Sequence, residues 1–370
     1  MARPPGHVEG IEPYVPGKPI EELERELGLR NSIKLASNEN PLGASPAAIE
    51  AFRSAADRLH RYPDGGGFHL REKLARHHRV PMEQVVLGNG STELIELFAR
   101  TFLGADGWAV MSDQAFIMYR IAVMAVNGLA RTVPLHRMRH DLGAMAAVAS
   151  GVKLAYIANP NNPTGTYVGA AELDAFVAQM PAEAIIVLDE AYRDYVEEDD
   201  YPDGIRYVRE GRPVAVLRTF SKIHGLAGLR IGYAITQKEI AASIDKVRSP
   251  FNTSHPAQAA ACAAIDDAGH VQRSRDANRA ERSFVASELT RRGWGFTASV
   301  ANFHLMDIGR PADAIYDRLL RDGVIVRPMT GYNFPTSLRV TIGTREENVR
   351  FLDALDRAVG RAGGGGGART

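Results

Sequence analysis

Short apolar runs, each closed by a turn and separated by helix-length amphipathic stretches, set the tightest limit on how this chain can fold. The runs are Val85–Leu87, Trp108–Met111, Leu154–Ala158, Ala184–Leu188, Val214–Arg218 and Ile231–Ile235. Between several of them, stretches such as Thr92–Phe102 and Ala170–Gln179 repeat apolar residues at three- and four-residue spacing, the period of a helix with one buried face. Strands alternating with helices imply an α/β protein built on a largely parallel sheet covered on both faces. In such sheets ligands collect at the carboxyl ends of the strands, and the polar residues hardest to explain by packing fall there.

The C-terminal third reads differently. A helix is expected around Val271–Arg291, then short strands at Asn302–Asp307, Val324–Arg327 and Ser337–Ile342, with helices near Ala312–Asp322 and Glu346–Gly360. With 370 residues the chain exceeds the size, about 250–300 residues, at which single cores split. The expected division is an N-terminal segment over 1–44 that joins the smaller domain, a large domain over 45–265, and a small α+β domain over 266–360. A Gly-rich tail over 361–370 should be disordered.

Formal net charge is +0, so nothing points to nucleic acid or an acidic membrane surface. No stretch approaches the roughly 18 consecutive apolar residues of a membrane span. Met1–Gly10 lacks the apolar core of a signal peptide, which speaks against export. The one cysteine, Cys262, fits a reducing cytoplasm, and its alanine-rich surroundings suggest a packed structural thiol.

Four polar patterns follow strands in order. Leu87-Gly88-Asn89-Gly90-Ser91-Thr92-Glu93 opens a helix, where backbone N–H groups and hydroxyls favour a phosphate. Glu93 stands where the last glycine of a dinucleotide fingerprint belongs, and no G-x-x-x-x-G-K-[ST] run is present. Asn159-Pro160-Asn161-Asn162-Pro163-Thr164-Gly165 is dense in turn formers and presents Asn162, although a plain tight turn would use the same residue types. Leu188-Asp189-Glu190-Ala191-Tyr192 ends an apolar strand with an acid, which needs a cation, a donor or a metal there. Thr219-Phe220-Ser221-Lys222 ends another and leads into the Gly-rich run Gly225–Tyr233. Burial of Lys222 would depress its pKa and make it a nucleophile suited to Schiff-base chemistry. An amine, a carboxylate, hydroxyl and amide donors and an anion cradle together match the needs of pyridoxal phosphate.

At these motifs the sequence resembles the fold-type I aminotransferases, and within them the histidinol-phosphate aminotransferase group. Asn-Pro-x-Asn-Pro-Thr-Gly and Ser-Lys-x-x-Gly-Leu-Ala-Gly-Leu-Arg carry the wider likeness; Leu35-Ala36-Ser37-Asn38-Glu39-Asn40-Pro41 and Arg61-Tyr62-Pro63-Asp64-Gly65 point to the group. The likeness runs from Pro13-Tyr14-Val15-Pro16 to Leu338-Arg339-Val340-Thr341 and implies an aspartate-aminotransferase-like fold. It implies that Lys222 bonds the pyridoxal 5′-phosphate aldehyde and later shuttles the substrate proton, and that Asp189 pairs with the pyridine nitrogen. Asn162 and Tyr192 would bond the ring oxygen O3′, Phe116 would stack on the ring, and Gly90, Ser91, Ser221 and Arg230 would hold the phosphate. Arg339, Arg327 and Tyr14 would read the substrate, and Tyr62 would reach the neighbouring active site of a homodimer.

The expected reaction is transamination of L-histidinol phosphate with 2-oxoglutarate. Aromatic amino-acid transamination is the nearest rival, since the group includes enzymes for phenylalanine and tyrosine. A threonine-phosphate decarboxylase-type lyase shares the cofactor residues. A cofactor-binding transcription regulator would need a helix-turn-helix and a basic surface, and the sequence carries neither. His136 and His140, four apart in a basic run, lack the glutamate of H-E-x-x-H, so no metal is expected. His77-His78 reads as solvated surface, Glu197–Asp200 as an exposed loop, and His224 has no role that spacing argues for.

Overall fold

The computed structural model describes residues 3–360; the Gly-rich tail expected over 361–370 lies outside the described residues. Seven strands form the central sheet: β1 (Val85–Gly88), β2 (Trp108–Ser112), β3 (Leu129–Val133), β4 (Val152–Ala158), β5 (Ile185–Asp189), β6 (Val214–Thr219) and β7 (Gly232–Ile235). Their spatial order is β1-β7-β6-β5-β4-β2-β3. Pairings among β2 to β6 are parallel, and β7 alone runs antiparallel to both neighbours, β1 and β6.

Side chains along each strand alternate between two cores, as the two-residue period of a strand requires. In β5, Ile186 and Leu188 face one core with Leu74, Phe176 and Ala260, while Ile185 and Val187 face the other with Leu94, Phe98 and Ile244. Helices Phe68–His78, Ala170–Gln179 and His255–Asp266 cover the first face, and Gly90–Phe102, Met118–Ala125 and Lys238–Asp245 the second. Each Val, Leu or Ile so buried is worth about 1.5–3 kcal/mol of transfer free energy. Six strands agree with the apolar runs to within two residues. The seventh, β3, has the polar-interrupted sequence Leu-Ala-Arg-Thr-Val because it is an edge strand, mostly not buried and paired only with β2.

A second body follows the long helix Ala268–Arg291. Strands Gly295–Phe296, Phe303–Asp307, Arg327–Pro328 and Ser337–Thr341 form an antiparallel sheet, packed with helices Ala312–Arg321 and Arg345–Ala358 around Leu289, Met306, Leu338 and Phe351. The expected strand Val324–Arg327 is split: Val324–Ile325 pairs instead with Ile33–Lys34, in parallel, and ties the N-terminal segment to this body. Cys262 lies partly buried in helix His255–Asp266, and burial pushes its thiol pKa up. Among the described residues no helix is long and apolar enough to cross a membrane.

The loop after β6 is held against the N-terminal segment by Gly225. Its backbone is left-handed (φ 69°), and a Cβ there would stand 2.1 Å from the Gly43 carbonyl oxygen. Gly211 is also left-handed (φ 76°) but faces open space. Gly211→Ala should therefore lose only the backbone preference, about 1 kcal/mol. Gly225→Ala adds an overlap with backbone worth about 1–3 kcal/mol more. Thermal melting of the two variants should show the larger drop for Gly225→Ala; equal drops would mean that the segment yields at no cost.

Candidate active site

Parallel strands place their carboxyl ends side by side, so loops far apart in sequence meet above β4, β5 and β6. The resulting cleft is lined by Asn162 after β4, Asp189 at the end of β5, Tyr192 just beyond it, Ser221 and Lys222 after β6, and Arg230 before β7. Ser91 and Thr92 enter from the first turn of helix Gly90–Phe102, Phe116 and Tyr119 from the segment after β2, Tyr14, Ser37 and Asn38 from the N-terminal segment, and Arg339 from the second body.

Size does not single out the cleft, which measures about 150 Å3 while cavities of about 600 Å3 and 650 Å3 lie elsewhere. Its chemistry does. Lys222 Nζ donates to the Ser37 carbonyl at 3.0 Å, and burial, aided by the Arg339 charge, lowers its pKa to about 7. Asp189 is buried and forms no salt bridge among the described residues; Oδ2 accepts from the Tyr119 hydroxyl at 2.9 Å and Oδ1 from the Ala191 N–H at 3.2 Å. Burial outweighs these donors and pushes the Asp189 carboxyl up to about 6. Arg339 is buried as well. Nη1 donates to Asn162 Oδ1 at 2.5 Å and Nη2 to the Ala36 carbonyl at 2.6 Å, while Nε has no partner.

Arg327 lies directly opposite Arg339 on the antiparallel neighbour strand, its guanidinium 5.4 Å from the centre of the Tyr14 ring. Among the described residues neither arginine forms a salt bridge with a carboxylate. Like charges opposite one another weaken a sheet unless an anion joins them.

At the other end of the cleft Arg230 lies over the helix opening. Gly90 has φ 73°, and a Cβ there would stand 2.4 Å from Arg230 Nη2, so only glycine permits the approach. Arg230 Nη1 donates to Ser221 Oγ at 3.2 Å. A guanidinium, hydroxyls and the free N–H groups of a helix start make an anion cradle. Glu93 is turned away, its carboxylate accepting from the Asn89 N–H and the Asn252 amide, both at 2.6 Å.

Tyr62 is not brought into this cleft. It is 83% exposed and stacked on Phe251 with ring centres 4.7 Å apart. Tyr119 and Asn38 were not singled out for a role by sequence. Asn38 sits in a run quoted above, but a lone tyrosine in apolar sequence looks like core and an asparagine near proline looks like a turn. Their partners, Asp189 and Tyr192, come from distant segments.

The histidines sort by packing. His78 is buried, not solvated, with Nε2 2.8 Å from the Tyr233 hydroxyl. His140 donates from Nε2 to the Ala158 carbonyl at 2.9 Å and accepts from Ser112 at Nδ1, 2.6 Å away; burial holds it neutral, at about 4. His136 lies on the exposed turn before it, so the pair is not on a helix. His224 packs on Phe220, outside the cleft.

Glu190 points to the face opposite Asp189, where its Oε2 accepts two bonds from Arg218, at 2.7 and 3.0 Å. The Glu190 side chain is fully buried and that of Arg218 is 12% exposed, so removing one partner strands the other. Arg218→Met should cost about 3–5 kcal/mol, and adding Glu190→Leu should restore part of it. Melting curves of the single and double variants check this; a double variant less stable than the single would contradict it.

A parallel sheet with these strand ends, a buried lysine and carboxylate, and an anion cradle at a helix start defines a class. The sequence profile of the family described as Aminotransferase class I and II matches residues 30–355, and the chain belongs to that family. Within it the chain belongs with the histidinol-phosphate aminotransferases. It is 49% identical to histidinol-phosphate aminotransferase 2 of Pseudomonas aeruginosa over 355 residues, 95% of this chain and 96% of that one. It is 47% identical to the histidinol-phosphate aminotransferase of Moorella thermoacetica, over 93% of this chain and 90% of that one. Among solved structures it is similar to the histidinol-phosphate aminotransferase of Sinorhizobium meliloti in complex with pyridoxal-5′-phosphate. That chain matches at 29% identity and a TM-score of 0.89, covering 97% of this chain and 98% of the other.

Proposed function

We propose that this chain binds pyridoxal 5′-phosphate in the cleft and transfers the amino group of L-histidinol phosphate to 2-oxoglutarate, giving imidazole acetol phosphate and L-glutamate in histidine biosynthesis. The observation that carries the substrate reading is the pair Arg327 and Arg339. The two arginines stand opposite each other in register on neighbouring strands, and among the described residues neither forms a salt bridge with a carboxylate, a pairing suited to a doubly charged phosphate.

The residues fit the cofactor. Asp189 is a buried carboxylate without a cation, which a protonated pyridine nitrogen would supply. The cradle of Gly90, Ser91, Ser221 and Arg230 would take the phosphate, and its tight approach over Gly90 leaves the arginine aimed at the helix start. Asn162 has its amide oxygen engaged by Arg339, so its N–H2 is the group left for O3′, beside the Tyr192 hydroxyl. Phe116 lines the cleft from the side, where its ring would cover the cofactor face. When bound, pyridoxal phosphate supplies an aldehyde that condenses with amines and a ring that takes up the electrons of the bond broken at the substrate carbon.

Lys222 serves as both anchor and base. With its pKa at about 7, half of the amine is neutral near neutrality, where a general base works best. Its Nζ would take the proton from the substrate carbon bearing the amine and return it to the cofactor carbon C4′. Arg339 and Arg327, assisted by Tyr14, would hold the phosphate of histidinol phosphate, and Arg339 would take the carboxylate that stands in its place in the other substrate.

We further propose a cytoplasmic homodimer. The exposed Tyr62–Phe251 stack, with Leu59 and Phe68 also exposed nearby in sequence, would pack on a second copy and bring Tyr62 to its cofactor phosphate.

Two measurements test this reading. The rate at which the apoprotein captures pyridoxal phosphate should rise through about pH 7, because only the neutral amine of Lys222 attacks and it is lost as pH falls below that value. Lys222→Ala should abolish the covalent capture, and a midpoint above about 9 would mean that burial does not depress the amine. Arg327→Ala should lower kcat/KM for histidinol phosphate roughly 10- to 100-fold, the loss of one charged hydrogen-bond partner, and leave phenylalanine within about threefold. Equal losses on both substrates would favour aromatic amino-acid transamination instead.

A further inference from the structure

Asn38 stands where three parts of the chain meet. Its backbone is left-handed (φ 54°), a region that asparagine tolerates better than most residues, and it is 1% exposed. Its N–H donates to Thr341 Oγ1 at 2.9 Å and its carbonyl accepts from Asn302 Nδ2 at 3.1 Å, which pins the turn to the second body. Its side chain reaches the other way, where Nδ2 donates to the Tyr192 hydroxyl oxygen at 2.8 Å.

The direction of that last bond is set by a neighbour. Thr341 Oγ1 accepts the Asn38 N–H and gives its own proton to Asn38 Oδ1, 3.1 Å away. The amide oxygen therefore faces Thr341, and the amide nitrogen, which can only donate, faces Tyr192. A phenol oxygen that accepts from an amide keeps its own proton for a different acceptor. Tyr192 lines the cleft beside Lys222, whose Nζ is 5.5 Å from the centre of its ring, so that proton has the cleft to go to.

We infer that Asn38 is a positioning residue: its amide, oriented by Thr341, turns the Tyr192 hydroxyl so that its proton is given to the phenolic oxygen of the bound cofactor. The inference rests on the cofactor reading above and adds a residue that acts only through Tyr192. In the left-handed turn one amide reaches Tyr192 while its own N–H and side-chain oxygen both engage Thr341.

Two variants separate direction from packing. Asn38→Asp is isosteric, suits the same backbone and keeps the Thr341 contact, but it replaces the donor with an acceptor and draws the Tyr192 proton away from the cleft. Asn38→Gly keeps the backbone conformation and deletes the contact. A phenolic oxygen deprived of its donor holds a proton more tightly, so the pH midpoint of the bound cofactor's visible absorbance rises. In the holoenzyme Asn38→Asp should raise that midpoint by about one pH unit, and Asn38→Gly by less in the same direction. In a Tyr192→Phe background neither change should move it, since no hydroxyl remains to be turned. A new buried carboxylate acting by charge alone would raise the midpoint in both backgrounds, and an equal shift in both overturns the proposal. An unmoved midpoint in folded Asn38→Asp and Asn38→Gly also overturns it. Absence of any cofactor band on the unaltered protein once unbound pyridoxal phosphate has been removed would remove the cofactor reading itself, a distinct result that takes this inference with it.

Discussion

Burial of both faces of the seven-stranded sheet is the constraint from which the cleft follows. Parallel strands cannot be joined by tight hairpins, so each is followed by a helix that returns the chain over one face. The parallel strands thus end at the same edge, and the residues just past those ends are the ones left without helical or ladder partners. Asn162, Asp189 and Lys222, far apart in sequence, become neighbours for that reason alone. β7 reverses direction and brings Arg230 back over the helix start at Gly90, so the guanidinium at that end of the cleft comes from just before the strand of this sheet that breaks the parallel pattern.

The cleft holds its charges in an unrelieved state. Among the described residues Asp189 has hydrogen-bond donors but no salt bridge, Lys222 has a carbonyl but no salt bridge, and Arg339 keeps one N–H without an acceptor. Each has been taken from water without a full return, which is why the acid is pushed up and the amine down. A ligand with a protonated ring nitrogen, an aldehyde and a phosphate would relieve each in turn. The pair Glu190–Arg218, one residue and one face away, shows the contrast: there an acid and a guanidinium meet directly, so each charge has an opposite charge as its partner.

The second body matters to the site through two contacts. Arg339 reaches Asn162, and Thr341 and Asn302 hold the turn at Asn38, which in turn touches Tyr192. The N-terminal segment is the go-between, strand-paired with the second body at Ile33–Lys34 and lining the cleft from Ser37 and Asn38. The shape of the cleft therefore depends on how these three parts are seated.

Sequence alone determined the strand–helix alternation, the polar residues at the strand ends, and hence the amine, carboxylate, amide and anion cradle that mark the chemistry. These are legible because apolar periodicity and turn composition are local, and because a charged residue closing an apolar strand has few explanations. The edge strand β3 was hidden by its half-exposed pattern, and His78 was misjudged because its charged helix gives no sign of which face meets Tyr233. Only the tertiary structure placed Tyr119 on Asp189, Arg327 across from Arg339, and Asn38 between Thr341 and Tyr192. These are contacts between segments up to 303 residues apart, and their geometry comes from packing of whole elements, which no local pattern encodes.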